Sequence, residues 1–484
     1  MSTPSPDQVV LTPHPLQRVG AYALAVLAKT PDPQRLTADS FGDAVAAMRR
    51  DAVGAARIRD TKAARGYWLK CSLSFFPNSP MNHPSNGRKS VETITDAVER
   101  WRTRPVEQSW PGVPCALCGR EAVRFFGKVD VPLAESDIYR NNTPRGHDGL
   151  ALCWPCACSF HALPYGCQLT GGPAIAVHSW DERFLAFSVR RQVRGNRMVI
   201  DIGREPRQPP SREVLALRRL RDYTHPLDAG IELIVFSNNN RGQTLESYAL
   251  DQPLAEWLRS TLAGARHQGS FWSLLTAHRS KDRPGIVNLA RNVFRNPQRV
   301  VSAGARYLAS AAVTGHLRPD TGRLAAICYS YSIEVLDMDE SALKELRETA
   351  ARVAALLAAE DSAGKVRAFY ATFQKPTALG TWLRRRALDW MLQPPTTTAD
   401  STAPLVTTYG YELLFDPSVD NKAWFHREVF LIAVLEELHQ RQWRPSDAAK
   451  VAAELADDED DDPDQTDITF MNRSDGDDDE EGQR

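Results

Sequence analysis

The chain has 484 residues, 42% of them hydrophobic and 25% charged, a balance that suits a globular protein and excludes a disordered or fibrous one. At roughly 150 residues per domain the length predicts two to four domains. No run of ~18 or more uncharged apolar residues occurs, so no membrane-spanning helix is expected. The opening MSTPSPDQVV lacks the basic and apolar stretches of a secretion signal, so a cytoplasmic protein is expected.

The net charge of −1 hides an asymmetry. Asp457 to Arg484 carries 14 acidic residues against two arginines, while the remainder carries 57 basic against 46 acidic residues. A basic body suits a polyanionic partner, because each neutralised phosphate releases condensed counterions. The tail is too polar to order itself and is expected to be disordered.

In chain order, HPLQRVGAYALAVLAK (His14 to Lys29) has helical apolar spacing, and Thr37, Asp39 or Ser40 can cap a second helix, FGDAVAAMRRDAVGAAR. WLKCSLSFFPNSPMNHPSNGRKS, Trp68 to Ser90, starts strand-like and breaks into a Pro- and Asn-rich loop. FLAFSVRRQ and RMVIDIG read as paired strands joined through Arg194, Gly195 and Asn196. EVLALRRLRDY is a basic helix, and IELIVF (Ile231 to Phe236) is a buried strand running into the polar loop SNNNRG. From about Gln252 the pattern is helical, except that RLAAICYSYSIEVLD (Arg323 to Asp337) reads as a strand or an irregular helix. The expected fold class is α+β. A mixed α/β domain spans residues 1–250 with an inserted zinc-binding module at about 111–170. A linking helical region at 251–340, a helical bundle at 341–456 and the disordered tail at 457–484 follow.

Six of the eight cysteines lie between Cys115 and Cys167. Cys115/Cys118 and Cys153/Cys156 form two CxxC pairs, and zinc needs four such ligands at tetrahedral positions, so one structural zinc ion is expected. Gly119 follows the first pair and lets the backbone turn toward the sulfurs. The 34 intervening residues exceed usual ribbon spacing, which implies an insert from Glu121 to Leu152. Cys158, His161 and Cys167 are near enough in sequence to replace one ligand. CWPC read alone is also compatible with a thioredoxin-like dithiol. Cys71 and Cys328 sit in apolar or mixed runs and read as packing residues.

Three stretches together carry a resemblance: HPLQRVGAYALAVLAK, the FFPNSPMNHPS loop, and the CxxC pairs followed by ALPYGCQLTGGPAIAVHSWDERFL. They resemble the CXXC-CXXC family of CRISPR-associated proteins, the large subunit of type I-B Cascade surveillance complexes. The resemblance covers about the first half, to Asn240. Cys158, Cys167 and the acidic tail depart from the family pattern. It implies a subunit that binds the guide RNA 5′ end and target double-stranded DNA, recognises the PAM and helps open the duplex. It also implies contact with other Cascade subunits and recruitment of a helicase-nuclease effector. In such systems base pairing reads the sequence while protein reads PAM and backbone. No catalytic residue and no membrane partner is implied.

On that reading two polar loops are candidates for DNA contact. One offers Asn238, Asn239, Asn240 and Arg241, and the other Asn78, Asn82, Arg88 and Lys89 (with His83 and Asn86), since Asn pairs with adenine edges and Arg with guanine or phosphate. Asn that builds turns by capping its own backbone is the simpler account of both loops. Arg291, Arg295 and Arg299 are four apart, would line one helix face and can track a phosphate backbone. Arg218, Arg219, Arg221 and Arg384 to Arg386 are further basic clusters. No Walker loop, HExxH, GxSxG or helix-opening GxGxxG occurs, so an enzyme is not expected. The alternatives are a metal-dependent nuclease assembled from His147, Asp148, His178, Asp181, Asp416 and Asp420, and a zinc-ribbon scaffold that binds protein only.

Overall fold

The computed structural model describes residues 8–471 apart from 64, 135–148, 204–210, 239–241, 265–267, 314–316, 360–361, 374, 393–402, 419–421 and 446–464. The chain divides into two compact units, Met1–Arg219 with Leu227–Gln252, and Leu220–Pro226 with Pro253–Arg484. It is a mixed α+β protein, mostly helical with small antiparallel sheets.

In the first unit helices α1 (Pro15–Leu27), α2 (Ala38–Ile58), α3 (Gly66–Ser72) and α4 (Val91–Trp101) precede a two-stranded sheet, β1 (Arg124–Phe126) with β2 (Leu150–Leu152). Then come α5 (Trp154–Gly166), β3 (Ala174–Ser179), α6 (Glu182–Ile202), α7 (Arg212–Asp222), β4 (Ile231–Ser237) and β5 (Thr244–Leu250). Helix α5, WPCACSFHALPYG, has no charged residue and is buried along its whole length, which makes it the axis of the unit. Helix α1 packs on it at close range because Gly20 has no side chain: a β-carbon there would collide with the Ser159 backbone. Thr37 caps α2 through a reciprocal box with Ser40. Strands β3, β4 and β5 form an antiparallel sheet in that order, with β3 buried on both faces and β5 at the exposed edge.

Two strand expectations are corrected here. Trp68 to Ser72 belongs to α3, and FLAFSVRRQVRGNRMVIDI forms the single helix α6. Phe184, Leu185, Ser188, Val189, Gln192, Val193 and Asn196 are buried at helical spacing, Asp181 caps the start, and Gly203 ends it at φ 71°. The Arg-Gly-Asn sequence that resembles a turn is mid-helix. Asn196 donates to the Pro164, Tyr165 and Cys167 carbonyls at 2.8–3.1 Å, satisfying the C-terminal end of α5. Burial of one face and that staple outweigh the weak helix propensity of Gly195.

The second unit contains α8 (Gln252–Ala263), α9 (Gln268–His278), α10 (Gly285–Arg295), α11 (Arg299–Val313) and α12 (Thr321–Glu334). It continues with α13 (Glu340–Ala359), α14 (Ala363–Thr372), α15 (Pro376–Leu392), α16 (Thr408–Phe415), α17 (Ala423–Gln440) and α18 (Gln465–Met471). The ambiguous Arg323–Asp337 stretch is helical through Glu334. Helix α17 is buried without interruption from Val429 to Glu436, and the Glu436 carboxylate accepts from the Tyr329 hydroxyl at 2.8 Å. Within the acidic tail, Gln465–Met471 is ordered as α18, with Phe470 fully buried, which departs from the expectation of a wholly disordered tail. Among the described residues no helix is long and apolar enough to cross a membrane.

Candidate metal centre and nucleic-acid interface

The two CxxC pairs converge through different local structures. Cys115 and Cys118 sit on a hairpin knuckle. Pro114 bridges Glu121, the Gly119 amide donates to the Cys115 carbonyl at 2.9 Å, and the Ala116 amide donates to the Ala151 carbonyl at 2.9 Å. Gly119 has φ 76° with open space around it, so backbone conformation and not crowding requires glycine. Cys153 is the N-cap of α5 and Cys156 lies in its first turn, with Pro155 between them suited to that position. The second pair therefore stands at the positive end of a helix dipole, which favours thiolates.

The four Sγ atoms all lie within 4.8 Å of one another, and Cys118 Sγ is 3.5 Å from Cys153 Sγ. Metal–sulfur bonds of ~2.3 Å at tetrahedral angles separate sulfurs by about 3.8 Å, so the cluster could hold one metal ion. None of the eight cysteines is in a disulfide. The thiols share protons: hydrogen bonds among them hold Cys118 well below the ordinary range and push Cys153 and Cys156 above it. Arg120 adds positive charge, with Nε 3.5 Å from Cys118 Sγ and Nη2 3.8 Å from Cys153 Sγ. A divalent ion on four thiolates is a dianion, so a guanidinium at this distance offsets part of the charge. Arg120 is a site residue that sequence reading passed over, although its place two residues after Cys118 was visible.

Cys158, Cys167 and His161 stand outside the cluster. Cys158 and Cys167 are fully buried, and the His161 ring packs against Phe76, Trp101 and Trp154 at 5.9–6.3 Å, where burial pushes its pKa well down. The strand-to-helix placement of CWPC matches a dithiol pair, yet the convergence of the other two sulfurs is a feature that a dithiol does not need. Cys71 and Cys328 are buried in apolar surroundings, as expected.

The two asparagine loops serve structure more than solvent. Asn238 is 0% exposed. Its side-chain amide donates to the Phe75 and Lys128 carbonyls at 2.8 and 2.7 Å and accepts from Gln243 at 2.7 Å, which corrects its assignment as a DNA contact. Asn239, Asn240 and Arg241 lie outside the described residues. Asn82 is half-buried and donates to Ser72 Oγ at 2.8 Å and the Phe76 carbonyl at 3.0 Å. The buried Asn86 donates to the Pro80 carbonyl, and the exposed Asn78 occupies a left-handed turn at φ 58°. Of this loop, Arg88 and Lys89 present exposed charge.

Arg291, Arg295 and Arg299 do not share one helix. Helix α10 ends at Arg295 because Asn296 precedes Pro297 and is forced out of helical conformation, at φ −157° and ψ 76°; α11 starts afresh at Arg299. The break still brings the three together. With Arg279, Arg283 and Arg306 they line one open groove of about 640 Å³, whose walls include Asn288, Asn292 and Asn296 and, among the described residues, no acidic one. Arg283, Arg295, Arg299 and Arg306 are exposed. Arg299 and Arg306 are two helical turns apart on α11, a spacing readable from sequence, whereas Arg279 and Arg283 reach the groove by way of a loop with no periodic signal. The buried His278 also lines it, with Nδ1 2.8 Å from the Leu274 carbonyl and Nε2 unpartnered.

Some members of the other basic clusters are engaged internally, while Arg384 and Arg385 are exposed. Arg219 donates to Gln192 at 3.0 Å, Arg221 pairs with Asp222 at 2.7 Å, and Arg386 pairs with Asp389 at 3.1 Å. The described His and Asp of the nuclease alternative have local structural partners. His178 is buried across the sheet from Glu232, Asp181 caps α6, and Asp416 accepts from the Ser418 amide. His147, Asp148 and Asp420 lie outside the described residues. Compared with family models, characterised proteins and solved structures, the chain shows no match.

Proposed function

We propose that the chain is a non-catalytic, zinc-containing, nucleic-acid-binding protein, and specifically the large subunit of a type I-B CRISPR Cascade surveillance complex in the cytoplasm. The observation that carries nucleic-acid binding is the groove lined, among the described residues, by six arginines and no carboxylate. Guanidiniums at this density attract a phosphate backbone, and counterion release makes the attraction favourable. Zinc suits four thiolates in a closed tetrahedral site, where it would tie the knuckle to the start of α5 and take no part in bond breaking. Cys115, Cys118, Cys153 and Cys156 would hold it. The finer identity rests on the resemblance of the N-terminal half, with guide RNA, target duplex, further Cascade subunits and a helicase-nuclease as partners.

Expression beside the neighbouring genes tests this reading. Co-purification of the chain with a short guide RNA and other subunits, and metal analysis near one zinc per chain, are the expected results. Magnesium-dependent cutting of DNA by the isolated chain would replace the proposal with the nuclease alternative. Folded, metal-free protein that still retains nucleic acid would remove zinc while leaving the groove.

A further inference from the structure

Helix α10 carries Arg291 and Arg295 into the groove, yet it begins without a cap of its own, since Pro284 at its N-cap has no side-chain hydrogen bond to offer. The amides of Gly285 and Ile286 donate instead to the two carboxylate oxygens of Asp467, at 3.0 and 2.8 Å. A helix start exposes unpaired N–H groups and a partial positive charge, and a carboxylate answers both. Asp467 is 3% exposed and belongs to α18, over 180 positions away in sequence.

A second set of contacts seats the same segment. Phe470 is fully buried and stacks on Phe271 of α9 with centroids 6.4 Å apart. The Arg221 guanidinium lies 5.2 Å over the Phe470 ring and donates to its carbonyl. Helix α9 ends at His278 and leads into Arg279, so α18 grips both helices that supply this side of the groove. The start of α10 is pressed against α9 as well, because a β-carbon on Gly285 would collide with the Leu275 carbonyl.

We infer that Asp467 and Phe470 form a clip that holds α9 and α10 in register and so sets the spacing of the groove arginines. Asp467 is then a positioning residue for polyanion binding. This rests on the groove being the binding surface. The helical rise puts Arg291 roughly 8 Å along α10 from the capped amides, near enough for fraying at the start to reach it.

The test uses the full chain, a fluorescein-labelled single-stranded oligonucleotide at fixed salt, and amide hydrogen exchange. D467A and F470A are expected to quicken exchange over residues 285–288 and to weaken binding about fivefold. D467N keeps one of the two capping oxygens and loses the charge, so it is expected to fall between D467A and the parent chain in both exchange and affinity. The double variant R291A/R295A serves as the control on the groove. Quickened exchange in D467A with unchanged affinity would overturn the clip, as would unchanged exchange. Should R291A/R295A bind as tightly as the parent chain, the groove reading fails instead, and the exchange data still report whether the cap holds α10.

Discussion

The imidazole of His278 is 5% exposed at the end of α9, and burial, assisted by the Arg306 charge, pulls its pKa down to about 4. An unfolded histidine titrates near 6.5, so between that value and about 4 the unfolded chain binds the extra proton. Folding stability associated with His278 is therefore complete above about 6.5 and is lost as pH falls toward 4, by roughly 3 kcal/mol. Urea titrations across this window should show that loss on top of the share of the buried His161, and H278Q should remove only the His278 share; a decline as steep in H278Q would assign the acid lability elsewhere. Asn238 makes the opposite point about a residue that looks like a reader of bases. N238A leaves the Phe75 and Lys128 carbonyls and the Gln243 amide unsatisfied, at a cost of about 2–3 kcal/mol. Its expected signature is a lower urea midpoint with oligonucleotide affinity intact in the folded fraction.

At the scale of elements, helix ends decide where chemistry falls. The start of α5 gathers Cys153 and Cys156, the Pro297 break turns three arginines into two walls of one groove, and α10 takes its cap from a distant segment. If Arg291, Arg295 and Arg299 each contact a phosphate, R291A, R295A and R299A should each reduce the slope of log affinity against log salt by about one. A slope that does not move in any of the three would remove these residues from the interface. In α6 the lesson is the strength of tertiary context. Arg194 and Gly195 precede an Asn196 whose side chain is committed to α5, and the long buried face carries the helix through them.

For the whole molecule, the four-cysteine cluster joins residues far apart in sequence, and closing that long loop orders the knuckle against α5. C153S or removal of metal with a chelator should lower the melting temperature of the first unit by more than 5 °C, read by calorimetry, on the order of a structural site's contribution. Unchanged melting would reduce the four thiols to packing residues. The acidic tail needs a different cut from the one its composition suggests, since deletion from residue 457 would remove the clip along with the charge. Truncation after Met471 takes away six acidic residues and leaves Asp467 and Phe470 in place. If the distal acids compete with nucleic acid for the basic body, this shorter chain should bind oligonucleotide more tightly at low salt, with the difference vanishing as salt screens it.

The amino-acid sequence by itself determined the two CxxC pairs, the first two helices, the buried strand β4 and the helical second half, because each is written in local spacing and in the chemistry of single residues. Arg291, Arg295 and Arg299 were also visible there, but as one stripe. Only the tertiary structure decided that they flank a groove with Arg279, Arg283 and Arg306, that Asn238 is spent inside, and that Asp467 caps a helix from the far end of the chain. The physical reason is common to all three. Periodicity reports which face of an element is apolar, whereas hydrogen-bond partners and the meeting of loops depend on contacts between segments far apart in sequence.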